Sequence, residues 1–324
     1  MLNVGIIGSG FVAKLRSELF HQRPDTKLIG FAGAPDRVNP LADQFNCLAF
    51  NQIQDLVSRD DVDLIVVANV NAEHAKVVRM ALESGKHVVV EYPLALQWQE
   101  GNELWELSQA QNKLLHIEHI ELLGGVHQAM VSQLPTIGTV DYVQYTTKSP
   151  QRHPPNKWTY QPDRYGFPLT AALSRIHRLT AVWGEVTKIF CQLRYTGDNL
   201  PDRFSSCYCQ AQLEFACGIL ADIHYSKGAN CWQSSRVLEV QGSKGGLFFS
   251  SDAGTLMTEQ GEVALTVGTS RGLFQIDTNQ IVAHLLQGTP LYTHPSSSLL
   301  ALKVSCAAER SVATGKAINL AELL

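Results

Sequence analysis

Val4-Gly5-Ile6-Ile7-Gly8-Ser9-Gly10-Phe11-Val12-Ala13 lies at the head of the chain and decides its fold. An apolar run of strand character meets Gly-x-Gly-x-x-Ala and passes straight into a helical pattern. In that order a strand, a tight turn and a helix N-terminus can cradle the pyrophosphate of a dinucleotide. Gly8 permits the turn, Gly10 lets the backbone approach the phosphates, and Ala13 lets the helix pack closely on the sheet. Ser9, Phe11 and Val12 complete the loop. Glycine-rich turns also arise by chance, so the motif takes its meaning from the sequence that follows.

From Leu2 to about Pro135, β-branched runs alternate with helical patterns, as βαβ units require. Strands are predicted at Asn3–Gly8, Lys27–Gly33, Val62–Val70, His87–Glu91 and Lys113–Glu121. The third reads Val-Asp-Leu-Ile-Val-Val-Ala, nearly all apolar, as a strand buried on both faces should. Ala75, Val77, Val78, Ala81 and Leu82 then fall at helical spacing, with Gly85 as the stop. Beyond Gly138 come longer alternating stretches, Val140–Thr147, Val186–Tyr195, Cys207–Phe215, Ile219–Tyr225, Val237–Gln241 and Leu247–Ser250, separated by glycine turns. They predict one large open antiparallel sheet, interrupted by a helix over Leu169–Trp183 and followed by helices over Phe274–Gln287 and Ser298–Thr314. The expected fold class is an α/β N-terminal Rossmann domain with a parallel sheet, residues 1–123, followed by an α+β domain with a large open antiparallel sheet, residues 124–324.

Bulk properties fit two cored domains: 324 residues, 45% hydrophobic and 17% charged, give no sign of disorder. A net charge of -4 removes any electrostatic reason to expect nucleic acid or an anionic membrane as partner. Seven cysteines, an odd number without a Cys-x-x-Cys pair, suit free thiols in a reducing compartment. No leader-like segment or membrane-length apolar run is present in the sequence, and a cytoplasmic location is expected.

An NAD site usually carries a carboxylate about 20 residues past the glycine motif, for the ribose 2′-hydroxyl. Here the sequence is Phe31-Ala32-Gly33-Ala34-Pro35-Asp36-Arg37, with Gly33 where that carboxylate would stand. Its loss removes repulsion toward a 2′-phosphate, and Arg37 is near enough to pair with one, so NADPH is the expected cofactor. The alternative for Arg37 is a solvated loop residue. Ala68, Asn69, Asn71 and His74 follow the third main strand and are expected to meet the ribose or nicotinamide. The alternatives are that Asn71 caps the next helix and that His74 lies on its exposed first turn. His116-Ile117-Glu118-His119-Ile120-Glu121 invites a metal reading. Alternation along a strand divides these side chains between two faces, so no metal site is expected, and Glu118 and His119 remain candidates for the cofactor or substrate side.

His87-Val88-Val89-Val90-Glu91-Tyr92-Pro93, at the end of the fourth main strand, resembles the Glu-Lys-Pro signature of the glucose-fructose oxidoreductase and inositol dehydrogenase family, as does the two-domain layout. The departure is Tyr92. In sugar-oxidising members the lysine works with an Asp and a His on the first helix of the second domain. Here Leu173 stands at the Asp position and only His177 is kept, so a proton relay from a sugar alcohol has lost two of its three parts.

Tyrosine in this signature is similar to the biliverdin reductases. The runs Glu91–Leu96, His119–Ala129, Trp158–Tyr160, Gly166–Leu169, Ala171–Ile176 and Gly268–Phe274 resemble those of the cyanobacterial type, and they are spread over nearly the whole chain. The resemblance implies NADPH-dependent hydride transfer to the C10 methine bridge of biliverdin IXα, giving bilirubin. It implies a wide apolar slot for the tetrapyrrole and cations for its two propionates. Arg175 is the first choice for the catalytic polar role. A guanidinium is a poor proton reservoir, so it would orient a propionate, a lactam or a water. Tyr92 would donate a hydrogen bond or, the preferred reading, wall the nicotinamide, beside Glu91 on the cofactor side. Trp158 and Tyr160 are candidates to stack on the planar ligand, with packing as the alternative. The remaining readings are a sugar or cyclitol dehydrogenase of the same family and a non-catalytic NADP-binding regulator. Biliverdin is the expected partner, without nucleic acid or membrane, on a monomer or homodimer.

Overall fold

The computed structural model describes residues 1–152, 156–197 and 202–323. The chain divides into two compact units, Met1–Ile120 with Gly272–Leu299, and Glu121–Arg271 with Leu300–Leu324.

The first unit is built on six parallel strands: β1 (Leu2–Ile7), β2 (Thr26–Ala32), β3 (Leu48–Phe50), β4 (Leu64–Val67), β5 (His87–Val90) and β6 (Leu115–Ile117). Their order is β3-β2-β1-β4-β5-β6, so the direction of winding reverses between β1 and β4. Open α/β sheets bind their ligands outside the carboxyl ends of the strands at such a point. Ile7 is level with Ala32 of β2 and Val67 of β4, which brings Gly8, Gly33 and Ala68 to one edge.

Two strands are shorter than their sequence patterns. The apolar run at Val62–Val70 pairs only over Leu64–Val67, and the segment expected at Lys113–Glu121 pairs only over Leu115–Ile117 before a 3₁₀ turn at Ile120–Leu122. The face alternation inferred for His116–Glu121 therefore holds only as far as Ile117. Val4, Ile6, Phe31, Leu64, Val66 and Val89 form the core on one side of the sheet together with Phe20 and, from far along the chain, Ile281 and Val282. The helix Leu273–Gln287, counted with the second domain in the sequence reading, thus packs with the first unit, because its apolar stripe completes that core.

The second unit holds a nine-stranded sheet: β7 (Val140–Pro150), β8 (Val186–Thr196), β9 (Ser206–Phe215), β10 (Leu220–Gly228), β11 (Ser235–Gly242), β12 (Gly245–Ser250), β13 (Ala253–Thr258), β14 (Gly261–Leu265) and β15 (Ile318–Asn319). Their order is β14-β13-β12-β11-β7-β10-β9-β8-β15. The expected antiparallel pairing holds everywhere except between β7 and β10, which are parallel. Helical segments between β7 and β8 return the chain to the end from which β7 started. β8 and, two hairpins later, β10 therefore run in the direction of β7.

The helix expected over Leu169–Trp183 is two helices, Pro168–Ala171 and Ser174–Trp183, because Ala172 leaves helical geometry at φ -110, ψ 37. The break puts Arg175 in the first turn of the second helix. Period-2 alternation sets Val143, Tyr145 and Thr147 of β7, Ile223 and Tyr225 of β10, and Leu238 and Val240 of β11 on one buried face.

Candidate functional site

In the first unit the glycine turn has the shape its motif requires. Gly8 has φ +125, and a Cβ there would meet the carbonyl oxygen of Ala68 at 2.3 Å, so a side chain is excluded by conformation and by space. A Cβ at Gly10 would meet nothing within 4 Å, which leaves open room above the start of the helix Phe11–His21. No side chain caps that helix. The N–H groups of its first turn and the positive end of its dipole are left for an anion. Phe11 is exposed beside this opening and Ala13 is fully buried against the sheet.

At the end of β2 the helix Pro35–Phe45 starts without a side-chain cap, and Arg37 is 70% exposed, 3.9 Å from Asp36. An ion pair this long and this exposed leaves the guanidinium available. Past β4, the Oδ1 atom of Asn69 is buried without a hydrogen-bond partner. His74 is buried, not on an exposed turn as its alternative reading had it. Its Nδ1–H donates to the Pro93 carbonyl at 2.8 Å, which leaves an unpartnered Nε2 lone pair. Burial lowers its pKa, so the imidazole is neutral at pH 7. Asn71 is buried in a 3₁₀ turn, and Glu73, not Asn71, occupies the N-cap of the next helix. Open space at Gly10, an uncapped helix end and two unpartnered buried polar atoms fit a dinucleotide along this edge.

Glu91 and Tyr92 leave β5 in different directions. Glu91 turns inward to Arg16, accepting from Nε at 3.2 Å and Nη2 at 3.1 Å. Arg16, fully buried, also pairs with Asp277 and donates to Thr278 Oγ1 at 3.0 Å, and His116 Nε2 donates to Asp277 at 2.8 Å. Burial opposes the charge on Asp277, but Arg16 and His116 hold its carboxyl well below the usual range. Burial pushes Glu91 upward, against the pull of Arg16 and of the neighbouring Glu118. Glu118 accepts from the Ile120 N–H at 2.6 Å. Tyr92 instead lies over the ring of His119, which is buried and hydrogen-bonded through Nε2 to Ser298 at 2.8 Å. Glu118 and His119 thus brace the site from within.

In the second unit the polar groups gather at one end of the buried sheet face. The Arg175 guanidinium lies 5.9 Å from the Tyr225 ring and that of Arg178 lies 5.6 Å from Tyr145. Tyr225 and Tyr165 join their hydroxyls at 3.0 Å. Lys227 sits over Tyr160 at 4.1 Å and Tyr165 at 4.6 Å and donates to the Thr159 carbonyl, and burial pushes its pKa down to about 8. Trp158 and Tyr160 belong to a 3₁₀ turn, where Tyr160 is buried against Phe204 and Trp158 lies 6.1 Å from Tyr165. For Tyr160 this favours packing over ligand stacking. His177, the surviving member of the sugar relay, donates to Glu121 at 3.0 Å.

Family models match nearly all of the chain: an oxidoreductase family with an NAD-binding Rossmann fold over residues 2–119, and that family's C-terminal alpha/beta domain over residues 133–320. The chain belongs to this oxidoreductase family. A solved biliverdin reductase from Synechocystis sp. PCC 6803, in complex with biliverdin and NADP+, is 39% identical, with a TM-score of 0.94 over 96% of this chain and 99% of that one. Human biliverdin reductase A is 27% identical over 199 residues, 59% of this chain and 61% of that protein. The match therefore spans about three fifths of the mammalian relative. An oxidoreductase from Agrobacterium radiobacter, solved with NAD+, L-tartaric acid and magnesium, shares the fold at 14% identity and a TM-score of 0.84, covering 100% of this chain and 99% of that one.

Within this oxidoreductase family the glycine turn and the open sheet were legible from sequence. Arg16, Asp277, Tyr145, Tyr225, Tyr165 and Lys227 were not singled out. Arg16 reads as an ordinary exposed helix residue until its partner, 261 positions away, is brought to it. The tyrosines had a usable signal, since all but Tyr165 fall at inward positions of alternating strands.

Proposed function

We propose that the protein is an NADPH-dependent biliverdin reductase that reduces the C10 methine bridge of biliverdin IXα to give bilirubin. The observation that carries this reading is the near full-length match, at 39% identity, to a biliverdin reductase solved with biliverdin and NADP+. Tyr92 in place of the family's lysine and Leu173 in place of its Asp support it from within the chain. When bound, NADPH supplies the hydride.

The chain's own residues do the rest. Gly8, Ser9, Gly10, Phe11, Val12 and Ala13 hold the pyrophosphate at the helix N-terminus, and Gly33 and Arg37 receive the 2′-phosphate. Ala68, Asn69, Asn71 and His74 line the ribose and nicotinamide side. Tyr92, held by His119, walls the nicotinamide. Arg175 orients a polar group of the substrate or the water that delivers the proton to a pyrrolic nitrogen, and the tyrosine-rich end of the sheet face receives the tetrapyrrole. Among the described residues no helix is long and apolar enough to cross a membrane. The seven free cysteines favour a reducing, cytoplasmic location, and we take the enzyme to be a monomer or homodimer.

Mixing the purified protein with NADPH and biliverdin tests the reading. Loss of the red-region band with gain of a yellow product is expected. An unchanged spectrum, with a sugar or cyclitol oxidised instead, would sink it.

A further inference from the structure

Arg178 is 7% exposed, and its Nε and Nη1 have no hydrogen-bond partner. Among the described residues it forms no ion pair, and Glu121 accepts a hydrogen bond from His177. A buried guanidinium with unmade donors is costly to keep, and packing on the Tyr145 ring satisfies none of its N–H groups. The same wall carries a second unsatisfied group. Thr147, two residues beyond Tyr145 on the same face of β7, is 2% exposed with an unpartnered Oγ1. Thr147 is flanked in register by Arg236 on β11 and Tyr225 on β10. Arg175, one helical turn before Arg178, lies over that Tyr225.

Three guanidinia thus surround a phenol and a hydroxyl. Burial alone would raise the Tyr145 pKa, yet Arg178, Arg175 and Arg236 draw it below its ordinary value, which reports a strongly positive potential at this spot. An anion with at least two acceptor oxygens is what Arg178 and the Thr147 hydroxyl on this wall call for.

We propose that Arg178, Tyr145 and Thr147 form a carboxylate-binding subsite in the second unit that takes one propionate of the tetrapyrrole. The inference rests on the biliverdin reading and deepens it: Arg178, not only Arg175, selects a diacid substrate over its neutral ester.

The experiment titrates wild type, Arg178→Met, Tyr145→Phe and Thr147→Val with biliverdin IXα and with its dimethyl ester. Bilin absorbance gives Kd, and turnover with NADPH gives kcat and KM. Wild type should prefer the diacid. Arg178→Met should weaken the diacid roughly tenfold to a hundredfold, the scale of charge-assisted hydrogen bonds, leave the ester unchanged and act on KM more than on kcat. Tyr145→Phe and Thr147→Val should shift the preference the same way by about three- to tenfold. Thr147→Val removes a hydroxyl that has no partner and conserves shape, so it keeps the test decisive if Arg178→Met fails to fold.

An undiminished diacid preference in Arg178→Met, or in Thr147→Val where the former is unfolded, overturns the subsite. The reductase reading survives that result if wild type still reduces biliverdin. A wild type that neither binds nor reduces biliverdin overturns both.

Discussion

The phenol ring of Tyr92 lies flat on the imidazole of His119, with centroids 5.3 Å apart and planes within 3° of parallel. His119 is itself fixed by Ser298 through Nε2 and, through its backbone N–H, by Tyr292 at 3.0 Å. An aromatic surface backed in this way is rigid whether or not its hydroxyl acts. Tyr92→Phe should therefore keep kcat/KM for NADPH within about threefold, while Tyr92→Ala should lose roughly tenfold or more, measured by steady-state kinetics. A large loss in Tyr92→Phe would transfer the role from the ring to the hydroxyl.

Arg37 is exposed and only loosely paired with Asp36, so its removal should cost the fold little. If it meets a 2′-phosphate, Arg37→Ala should lower kcat/KM with NADPH by about tenfold and leave NADH unaffected. Parallel assays with the two cofactors read the difference directly.

Arg175 stands in the first turn of its helix, over Tyr225 and bonded to Ser174 Oγ at 2.6 Å. Arg175→Ala should lower kcat by at least about tenfold with bilin binding less affected, if it orients the proton-delivering group. Lysine at this position should restore little, because a compact ammonium does not reproduce the planar fork. Single-turnover measurements separate the two effects.

Burial, aided by the positive charge of Arg178, pushes the pKa of His127 down to about 4 from its model-compound value of 6.5. The unfolded chain thus binds a proton between about pH 6.5 and 4 that the folded protein refuses. Stability is fully present above this window and falls as pH drops through it, by about 3 kcal/mol at most for this group. Melting curves from pH 7.5 to 4 should show the fall, and His127→Gln should flatten it. Arg178→Met should raise the His127 pKa, visible in its imidazole NMR titration.

Arg16→Met leaves Glu91 and Asp277 buried without their cation and should destabilise the protein by about 3–5 kcal/mol. Hydrogen exchange should quicken first in the helix Leu273–Gln287, whose Asp277 and Thr278 both hold Arg16. Uniform acceleration over the whole chain would mean that the network is not what ties this helix down.

What sequence could deliver followed from local pattern. Gly8-x-Gly10 declared a turn because no other residue fits it, and the apolar run through Leu64–Val67 declared a strand buried on both faces. The misses lie where distant segments decide. β3, β14 and β15 are short or exposed, with Leu48 and Val263 largely in solvent, so they carry no periodic signal. The parallel pairing of β7 with β10 depends on which way intervening helices carry the chain, which alternation cannot report. At the candidate site, Arg175 was reachable by position on its helix. Arg178, Tyr145 and Thr147 are ordinary residues until the sheet places them on one wall with their polar atoms unsatisfied.

The first unit takes its last core residues, Ile281 and Val282, and Asp277, one of the two carboxylates paired with Arg16, from a segment that follows all of residues 121–271. On the ribosome, the nucleotide-binding half emerges first and cannot finish first. It must wait with an open hydrophobic flank and with Arg16 held by Glu91 alone while nearly the whole sheet of the other half is translated. The order of synthesis and the order of completion are opposed, and a chain released short of residue 282 would leave both halves behind as unfinished work for chaperones or proteases.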